Sequence, residues 1–485
     1  MTSTTTPPRI TVVGTGYLGA THAVCMASLG AEVLGVDVDE RKIAELAAGR
    51  MPFYEPGLAE HLRDALESGR LRFTTDVDEA ARFGDVHFVC VGTPQREGSD
   101  AAELRYVDCA MRELASRIHS HALIVGKSTV PVGTASRLAQ LVSEVAPPDA
   151  EVELAWNPEF LREGFAVDDT LHPDRLVFGV ESAWAERMLE DVFRPMIDAE
   201  TPVIVADLAT AELVKVAANS FLATKISYIN AMAEVCEAAG ADVDVLATAL
   251  SYDGRIGGRF LKPGLGFGGG CLPKDIRAFR HRAGELGVGQ AVAFLEEVDA
   301  INQRRRIRTV DLVRELAGGD LRGVRVAALG AAFKPDSDDV RDAPALDVAR
   351  MLYLEGAQVS VYDPKANENA HRTYPDLVYV DSLGEAADAA EVVVLLTEWE
   401  EFRTADPDLL GYVVAERRVV DARHALDADA YRAAGWEYRS LGQPAVASAV
   451  VPAAASASAR AGAAAAASAS ASASTEPSVA AARTR

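Results

Sequence analysis

Residues 9–39 read RITVVGTGYLGATHAVCMASLGAEVLGVDVD. An apolar run, Ile10 to Val13, meets the turn Gly14-Thr15-Gly16-Tyr17-Leu18-Gly19; a helical pattern follows, and a second apolar run ends near Asp37. Strand, glycine turn, helix, strand is the order of a dinucleotide-binding unit. Gly14 permits the tight turn, Gly16 the approach of a pyrophosphate to the helix N-terminus, and Gly19 close helix packing. Asp37, closing the second strand, can accept hydrogen bonds from an adenosine ribose and would repel a 2′-phosphate, which predicts NAD rather than NADP.

Downstream, VHFVCVGTP ends at Thr93 and Pro94, and ALIVGKSTVPVGT covers 122–134. Both break into Gly, Thr and Pro where parallel strands present their carboxyl ends to a cofactor crevice. Thr129 is a candidate there, and a helix-capping role would account for it equally well. VELAWNPEFLREG over 152–164 ends in Asn157, Pro158, Glu159, Phe160 and Glu163. If Phe160 onward is helical, Glu159 and Glu163 point the same way and one could serve as a base or orient water; two solvated glutamates fit the same spacing.

A long helix is predicted over 207–240, with Lys215, Asn219 and Ala223 repeating at four-residue intervals on one face. Lysine and amide together could hold a developing oxyanion, or the lysine could reach solvent while the amide completes a helix contact. The stretch 259–275, RFLKPGLGFGGGCLPKD, follows with five glycines. Such a density costs backbone entropy that side-chain burial does not require, so something is expected to approach this backbone closely. Cys271 ends the run, with Lys262, Lys274 and Asp275 near it in sequence; a nearby cation favours the reactive thiolate, and a buried inert cysteine is the plain alternative.

An arginine-rich helix over Val298 to Arg314 reads as a spine between outer domains. Beyond Arg325 the chain begins again: GAQVSVYDP over 356–364 mirrors GAEVLGVDVD over 30–39. This second βαβ-type unit lacks the full glycine fingerprint, and its Lys334 and Arg341 suggest an anionic ligand. The fold class expected is therefore α/β, with two Rossmann-like doubly wound domains joined by a central helical region carrying a long spine helix. The expected boundaries are a flexible 1–8, an NAD-binding domain at 9–206, a central helical region at 207–318, a second Rossmann-like domain at 319–444, and a disordered Ala/Ser-rich tail at 445–485.

Composition narrows the function. A formal net charge of −24, from 72 acidic and 48 basic residues among 485, argues against nucleic acid as a partner and makes local basic residues informative about an anionic ligand. Five widely spaced cysteines, Cys25, Cys90, Cys109, Cys236 and Cys271, offer no zinc-type spacing, so no metal is expected. A polar start and the lack of a bilayer-length apolar run make a cytoplasmic protein with no membrane partner the default.

With these segments placed, GTGYLG, KSTVPVGT, NPEFLREG, FLKPGLGFGGGCLPKD and AFKPDSDDVR occur in an order that resembles the nucleotide-sugar 6-dehydrogenases, over roughly 9–442. The resemblance implies oxidation of a C6 primary alcohol to a carboxylate in two NAD-dependent steps without metal. It implies UDP-glucose as substrate, with GDP-mannose as the alternative, and a homodimer or higher homo-oligomer. On it Cys271 is the nucleophile, Lys215 and Asn219 stabilise oxygen charge, Asp275 and Thr129 position or activate water, and Glu159 serves thioester hydrolysis. Gly14, Gly16, Tyr17, Leu18, Gly19, Asp37, Lys42, Thr93, Thr129, Glu163, Lys274 and Arg341 would line the cofactor. Glu159, Phe160, Leu161, Lys215, Asn219, Phe260, Lys262, Gly268, Cys271, Phe333 and Lys334 would line the substrate, with Arg255 reaching a neighbouring subunit's site. Arg423 is a weaker candidate at the substrate cleft, because Ala422 stands where the resemblance calls for glycine after Asp421. A non-enzymatic nucleotide-sugar sensor that kept the fold is the reading from a different class; Cys271, Lys215 and Asp275 speak against it.

Overall fold

Short β-branched runs separated by glycine turns are too apolar to leave either face in water, and they assemble as buried parallel strands. The structure, a computed structural model, describes residues 7–443; the expected tail from 445 lies outside them, as do the first six residues. Eight strands form the first sheet: β1 (Ile10–Val13), β2 (Val33–Val36), β3 (Leu71–Thr74), β4 (Val86–Val89), β5 (His121–Gly126), β6 (Glu151–Trp156), β7 (Leu176–Gly179) and β8 (Val203–Ala206). Their order is β3-β2-β1-β4-β5-β6-β7-β8. All neighbours are parallel except β6 and β7, which meet antiparallel at Trp156 and Gly179. The strands β7 and β8 extend the sheet beyond those singled out in the sequence.

The second half repeats the architecture. Strands β9 (Arg325–Leu329), β10 (Gln358–Tyr362), β11 (Val378–Tyr379), β12 (Val392–Leu395), β13 (Arg418–Asp421) and β14 (Glu437–Ser440) lie in the order β11-β10-β9-β12-β13-β14. Every pairing is parallel. In both sheets the order reverses beside the first strand of the half, between β1 and β4 and between β9 and β12, and ligands of open α/β sheets bind outside the strand ends at such a switch.

Between the sheets lies a helical region. Its longest helix, Leu208–Ala239, has 32 residues, about 48 Å at the usual rise. Asp207 caps its start by accepting from Thr210 N at 2.8 Å, and Gly240 ends it with φ +72°. The spine helix, Phe294–Leu316, packs on this long helix, on the helix Pro344–Leu354 and on β13. Its Arg305 is fully buried and pairs with Glu237 at 3.1 Å; Arg306 pairs with Asp342 at 2.9 Å and with Asp347. A buried guanidinium demands such partners, so the arginines that marked this helix in the sequence bind it to both neighbours. Among the described residues no helix is long and apolar enough to cross a membrane.

Candidate active site

The nucleotide end is built by the first glycine turn, and each glycine has a different reason. Gly14 has φ +89°, and a Cβ there would stand 2.9 Å from the Val91 side chain. At Gly19 a Cβ would lie 1.8 Å from the Gly14 carbonyl oxygen, so the helix can touch the strand only without one. Around Gly16 nothing lies within 4 Å of an added Cβ. The open room is therefore at the N-terminus of the helix Tyr17–Ser28, where unpaired N–H groups suit a pyrophosphate.

Asp37 accepts from Thr15 N at 2.8 Å and from Lys42 Nζ at 2.8 Å. Burial would raise its pKa, but Lys42 and the backbone donors outweigh this and hold it below the ordinary range. It is an anion beside the glycine turn. Asp363, at the corresponding end of β10, differs: it is buried and accepts from Ala331 N, Ala332 N, Trp399 Nε1, Lys365 N and Ala366 N. Asp37 also accepts from Thr15 Oγ1 and Asp39 N, so the difference is access: Asp363 is closed off at 2% exposure while Asp37 is half-buried, a physical reason why the second unit need not hold a dinucleotide in the manner of the first. Tyr17 packs against Phe53 with ring centres 4.7 Å apart and planes tilted by 43°, and donates to Glu55, while Leu18 packs into the sheet's core.

Cys271 immediately precedes the helix Leu272–Glu285, with Pro273 in its first turn. The residue keeps solvent-accessible surface, yet protein surrounds it on most sides. Burial and then the Asp275 carboxylate raise its pKa; Lys274 and Lys215 oppose them, and the net shift is upward. Asn219 Nδ2 donates to Asp275 Oδ2 at 2.7 Å, and Lys274 Nζ donates to Oδ1 at 2.6 Å. Asp275 is 3% exposed, so a lysine and an amide fix both oxygens of a buried carboxylate one helical turn beyond the thiol. Thr93, Thr129, Lys274 and Asp275 line one recess, and Thr93 Oγ1 donates to Thr129 O at 2.8 Å.

The glycine run before Cys271 is approached closely, as expected, and within the chain the approach comes from the spine helix and from the segment between β9 and the helix Pro344–Leu354. A Cβ at Gly266 would lie 2.2 Å from Asn302 Oδ1, at Gly268 2.3 Å from Asp342 O, at Gly269 2.8 Å from the Phe333 ring, and at Gly270 2.3 Å from the Arg341 guanidinium carbon. Asn302 accepts from Phe267 N at 2.8 Å and donates to Phe267 O at 2.9 Å. Gly264 N donates to Asn230 Oδ1, and Leu265 N to Ala422 O. Arg423 donates to the carbonyls of Leu396, Gly266 and Phe333 at 2.6, 3.0 and 3.3 Å. Its guanidinium thereby ties the loop to β12 and to the segment after β9.

The two glutamates of 157–164 do not share a helix face. The segment is irregular and the next helix begins at Ala166; Glu159 turns back to accept from Phe160 N and Leu161 N at 2.5 Å each, which competes with a helix start. Its other oxygen meets Lys127 Nζ at 3.1 Å. Burial would raise Glu159, but Lys127, the Leu161 N–H and Lys215 prevail and lower it. Glu163 goes elsewhere, accepting from Ser337 Oγ at 3.0 Å and Arg341 Nη2 at 3.3 Å; burial and Asp339 raise its pKa. Gly164 N and Ala166 N donate to the buried Glu55 at 2.6 and 2.7 Å, fixing the loop from below.

Phe160 lies under two cations, with Arg175 at 3.9 Å and Lys215 Nζ at 5.4 Å from the ring centre. Lys334 sits over Phe333 at 5.4 Å, and burial lowers its pKa. Leu161 is half-buried, Lys262 is exposed, and Phe260 holds φ +63°, uncommon for a bulky residue. Arg341 is already paired with Asp339 at 2.6 Å. Arg255 stands apart: its side chain is 90% exposed and pairs with Asp253. Sequence reading passed over Lys127, Glu55, Asn302 and Ser337. Only Lys127 carried a signal, as a lysine at the end of an otherwise apolar strand.

This arrangement matches known proteins along almost its whole length. The model of the UDP-glucose/GDP-mannose dehydrogenase family, NAD binding domain, matches residues 8–197; that family's central domain matches 209–304 and its UDP binding domain 327–428. The UDP-glucose 6-dehydrogenase of Rhizobium meliloti (strain 1021) is 41% identical over 90% of this chain and 100% of its own. UDP-glucose 6-dehydrogenase TuaD of Bacillus subtilis (strain 168) is 38% identical over 90% of this chain and 94% of its own. The solved structure of a UDP-glucose dehydrogenase from the hyperthermophilic archaeon Pyrobaculum islandicum superposes with a TM-score of 0.84 at 38% identity, covering 91% of this chain and 99% of that one.

Proposed function

The chain belongs to the UDP-glucose/GDP-mannose dehydrogenase family, and on that premise we propose that it oxidises UDP-glucose to UDP-glucuronate. The observation that carries this reading is the convergence of Cys271, Lys215 and the Asn219–Asp275–Lys274 group beside the recess lined by Thr93 and Thr129. An alcohol oxidation that stopped at the aldehyde would need no thiol, whereas continuing to the acid needs a carbonyl adduct that can lose a second hydride.

In this mechanism the C6 alcohol loses its hydroxyl proton and a hydride from C6 to become the aldehyde, and Cys271 Sγ adds to that carbonyl as a thiohemiacetal. Loss of hydride from C6 gives a thioester, and water cleaves it to carboxylate and free thiol. Gly14–Gly19 and Asp37 would hold NAD, which when bound would supply the hydride acceptor for both oxidations. Lys215 and Asn219 hold the C6 oxygen as charge develops on it. Asp275 and Thr129 orient the water, and Glu159 serves as the carboxylate for hydrolysis. Lys334, Phe333 and Lys262 receive the nucleotide and sugar.

Two NADH per UDP-glucose consumed, with little formed from GDP-mannose, is the expected result. One NADH, or none, would overturn the four-electron reading; two from GDP-mannose alone would keep the mechanism and change the sugar. Cys271→Ser should form little acid while remaining folded, and normal turnover would remove Cys271 from its role. The same reading includes a homo-oligomer. Phe221, Tyr228 and Val235 repeat every seven residues on the long helix and are 66%, 50% and 57% exposed, an apolar stripe that a second copy would cover.

A further inference from the structure

We infer that Lys127 is a positioning residue for the hydrolytic half of the reaction: it holds Glu159 as an oriented, ionised carboxylate. The inference rests on the proposed function and assigns a residue outside the catalytic set. Lys127 directly follows β5, and its side chain is 5% exposed. Its Nζ lies 3.1 Å from Glu159 Oε2 and donates to Asn157 Oδ1 at 2.9 Å. Asn157 is itself buried and donates through Nδ2 to Val177 O at 3.0 Å. The cation is thus anchored across the ends of β5, β6 and β7 rather than placed by a mobile chain.

Glu159 has no freedom left on its other side. Its Oε1 takes the Phe160 and Leu161 N–H groups, so both oxygens have fixed donors and the carboxylate plane is set. A buried carboxylate without a cation would take up a proton, and a protonated Glu159 could not accept one from attacking water. The other titratable groups facing the pair cannot replace Lys127. Burial pushes the Cys25 and Cys90 thiols up to about 12, and it holds His22 neutral with neither ring nitrogen bonded. Lys215, from the long helix, also faces Glu159, but it is half-buried and leans over the Phe160 ring, where the sugar would enter.

The test compares the wild type with Lys127→Met, Lys127→Arg, Glu159→Gln and the Lys127→Met/Glu159→Gln double variant. It uses rapid-quench mass analysis of the Cys271 adduct with UDP-glucose and NAD, and acid release as a function of pH. Lys127→Met should acylate Cys271 and accumulate the adduct, with its acidic limb for acid release moved up by roughly 1–3 pH units, so that hydrolysis recovers at high pH. Lys127→Arg, which keeps the charge, should leave the limb near the wild-type position. In the Glu159→Gln background, Lys127→Met should add little.

An unshifted limb in Lys127→Met, or a loss that high pH does not rescue and that adds fully to Glu159→Gln, would overturn the inference and leave Lys127 a structural tie. Should Lys127→Met not fold, a limb displaced in Lys127→Arg would overturn it equally. If neither wild type nor Glu159→Gln forms any Cys271 adduct, the proposed function itself fails, an outcome distinct from failure of the Lys127 inference.

Discussion

Two glycines of similar appearance in the sequence should fail in opposite ways when replaced by alanine. At Gly266 the backbone has φ +96°, and the new Cβ would stand 2.2 Å from Asn302 Oδ1 and 3.1 Å from Asn302 Cγ. An L-residue there costs about 1–2 kcal/mol in backbone strain. Moving the amide aside also breaks the two buried Asn302–Phe267 hydrogen bonds of 2.8 and 2.9 Å, each worth about 1 kcal/mol net and more if a partner stays unsatisfied. Gly266→Ala should therefore lose roughly 3–5 kcal/mol, a large share of a typical total of about 5–15 kcal/mol. At Gly16 φ is −68° and nothing lies within 4 Å, so Gly16→Ala should cost only about 0.5–1 kcal/mol, the difference between glycine and alanine at an N-cap. Its methyl group would fill the room reserved for the pyrophosphate and weaken NAD binding by about tenfold or more, ~1.4 kcal/mol. Urea unfolding and NAD titration on both variants decide the matter. If Gly266→Ala unfolds with the wild type, or Gly16→Ala binds NAD normally, the assignment of one glycine to packing and the other to ligand is refuted.

Asp275→Asn should lower the pKa of Cys271, because the carboxylate helps raise it; peptide-mapped iodoacetamide labelling of Cys271 should accelerate at neutral pH while turnover falls, and slower labelling would contradict the charge argument. Glu212, 2% exposed, accepts from Gly133 N and Ala135 N at 2.7 and 2.6 Å, and burial lifts its pKa to about 7. Since the folded value lies above the unfolded one, its stability contribution is complete below the ordinary carboxylate range and is lost as pH rises through about 7. The thermal stability of Glu212→Gln relative to wild type should therefore climb between acid and mildly alkaline pH by on the order of 3 kcal/mol, whatever constant offset the lost hydrogen bond adds; a flat difference would refute it. Phe221→Glu places a charge in the exposed stripe of the long helix and should shift sedimentation toward monomer, and an unchanged oligomer would remove that stripe from the interface.

The parts legible in the sequence were those fixed by local pattern. Alternation of apolar runs with glycine turns foretold both doubly wound sheets, because strand burial and tight turns are decided within a few residues. The mirrored segments at 30–39 and 356–364 both close on strands paired in parallel with the first strand of their half. What sequence could not give was which partner occupies each close approach. The run before Cys271 announced that something had to come near its backbone; only the fold identifies Asn302, Phe333, Asp342 and Arg341 as four that do. Glu159 and Glu163 looked like helical neighbours because spacing was the only information available. The hydrogen bonds that Glu159 makes to its own following N–H groups end that possibility, and they leave each glutamate to a different cation, Lys127 or Arg341. The consequence reaches the chemistry. One glutamate is lowered by its lysine while the other, beside Asp339, is raised despite its arginine. Two carboxylates four residues apart thus hold opposite protonation tendencies, and the one nearer Lys215 is the one lowered, the direction that the hydrolytic role proposed for Glu159 requires.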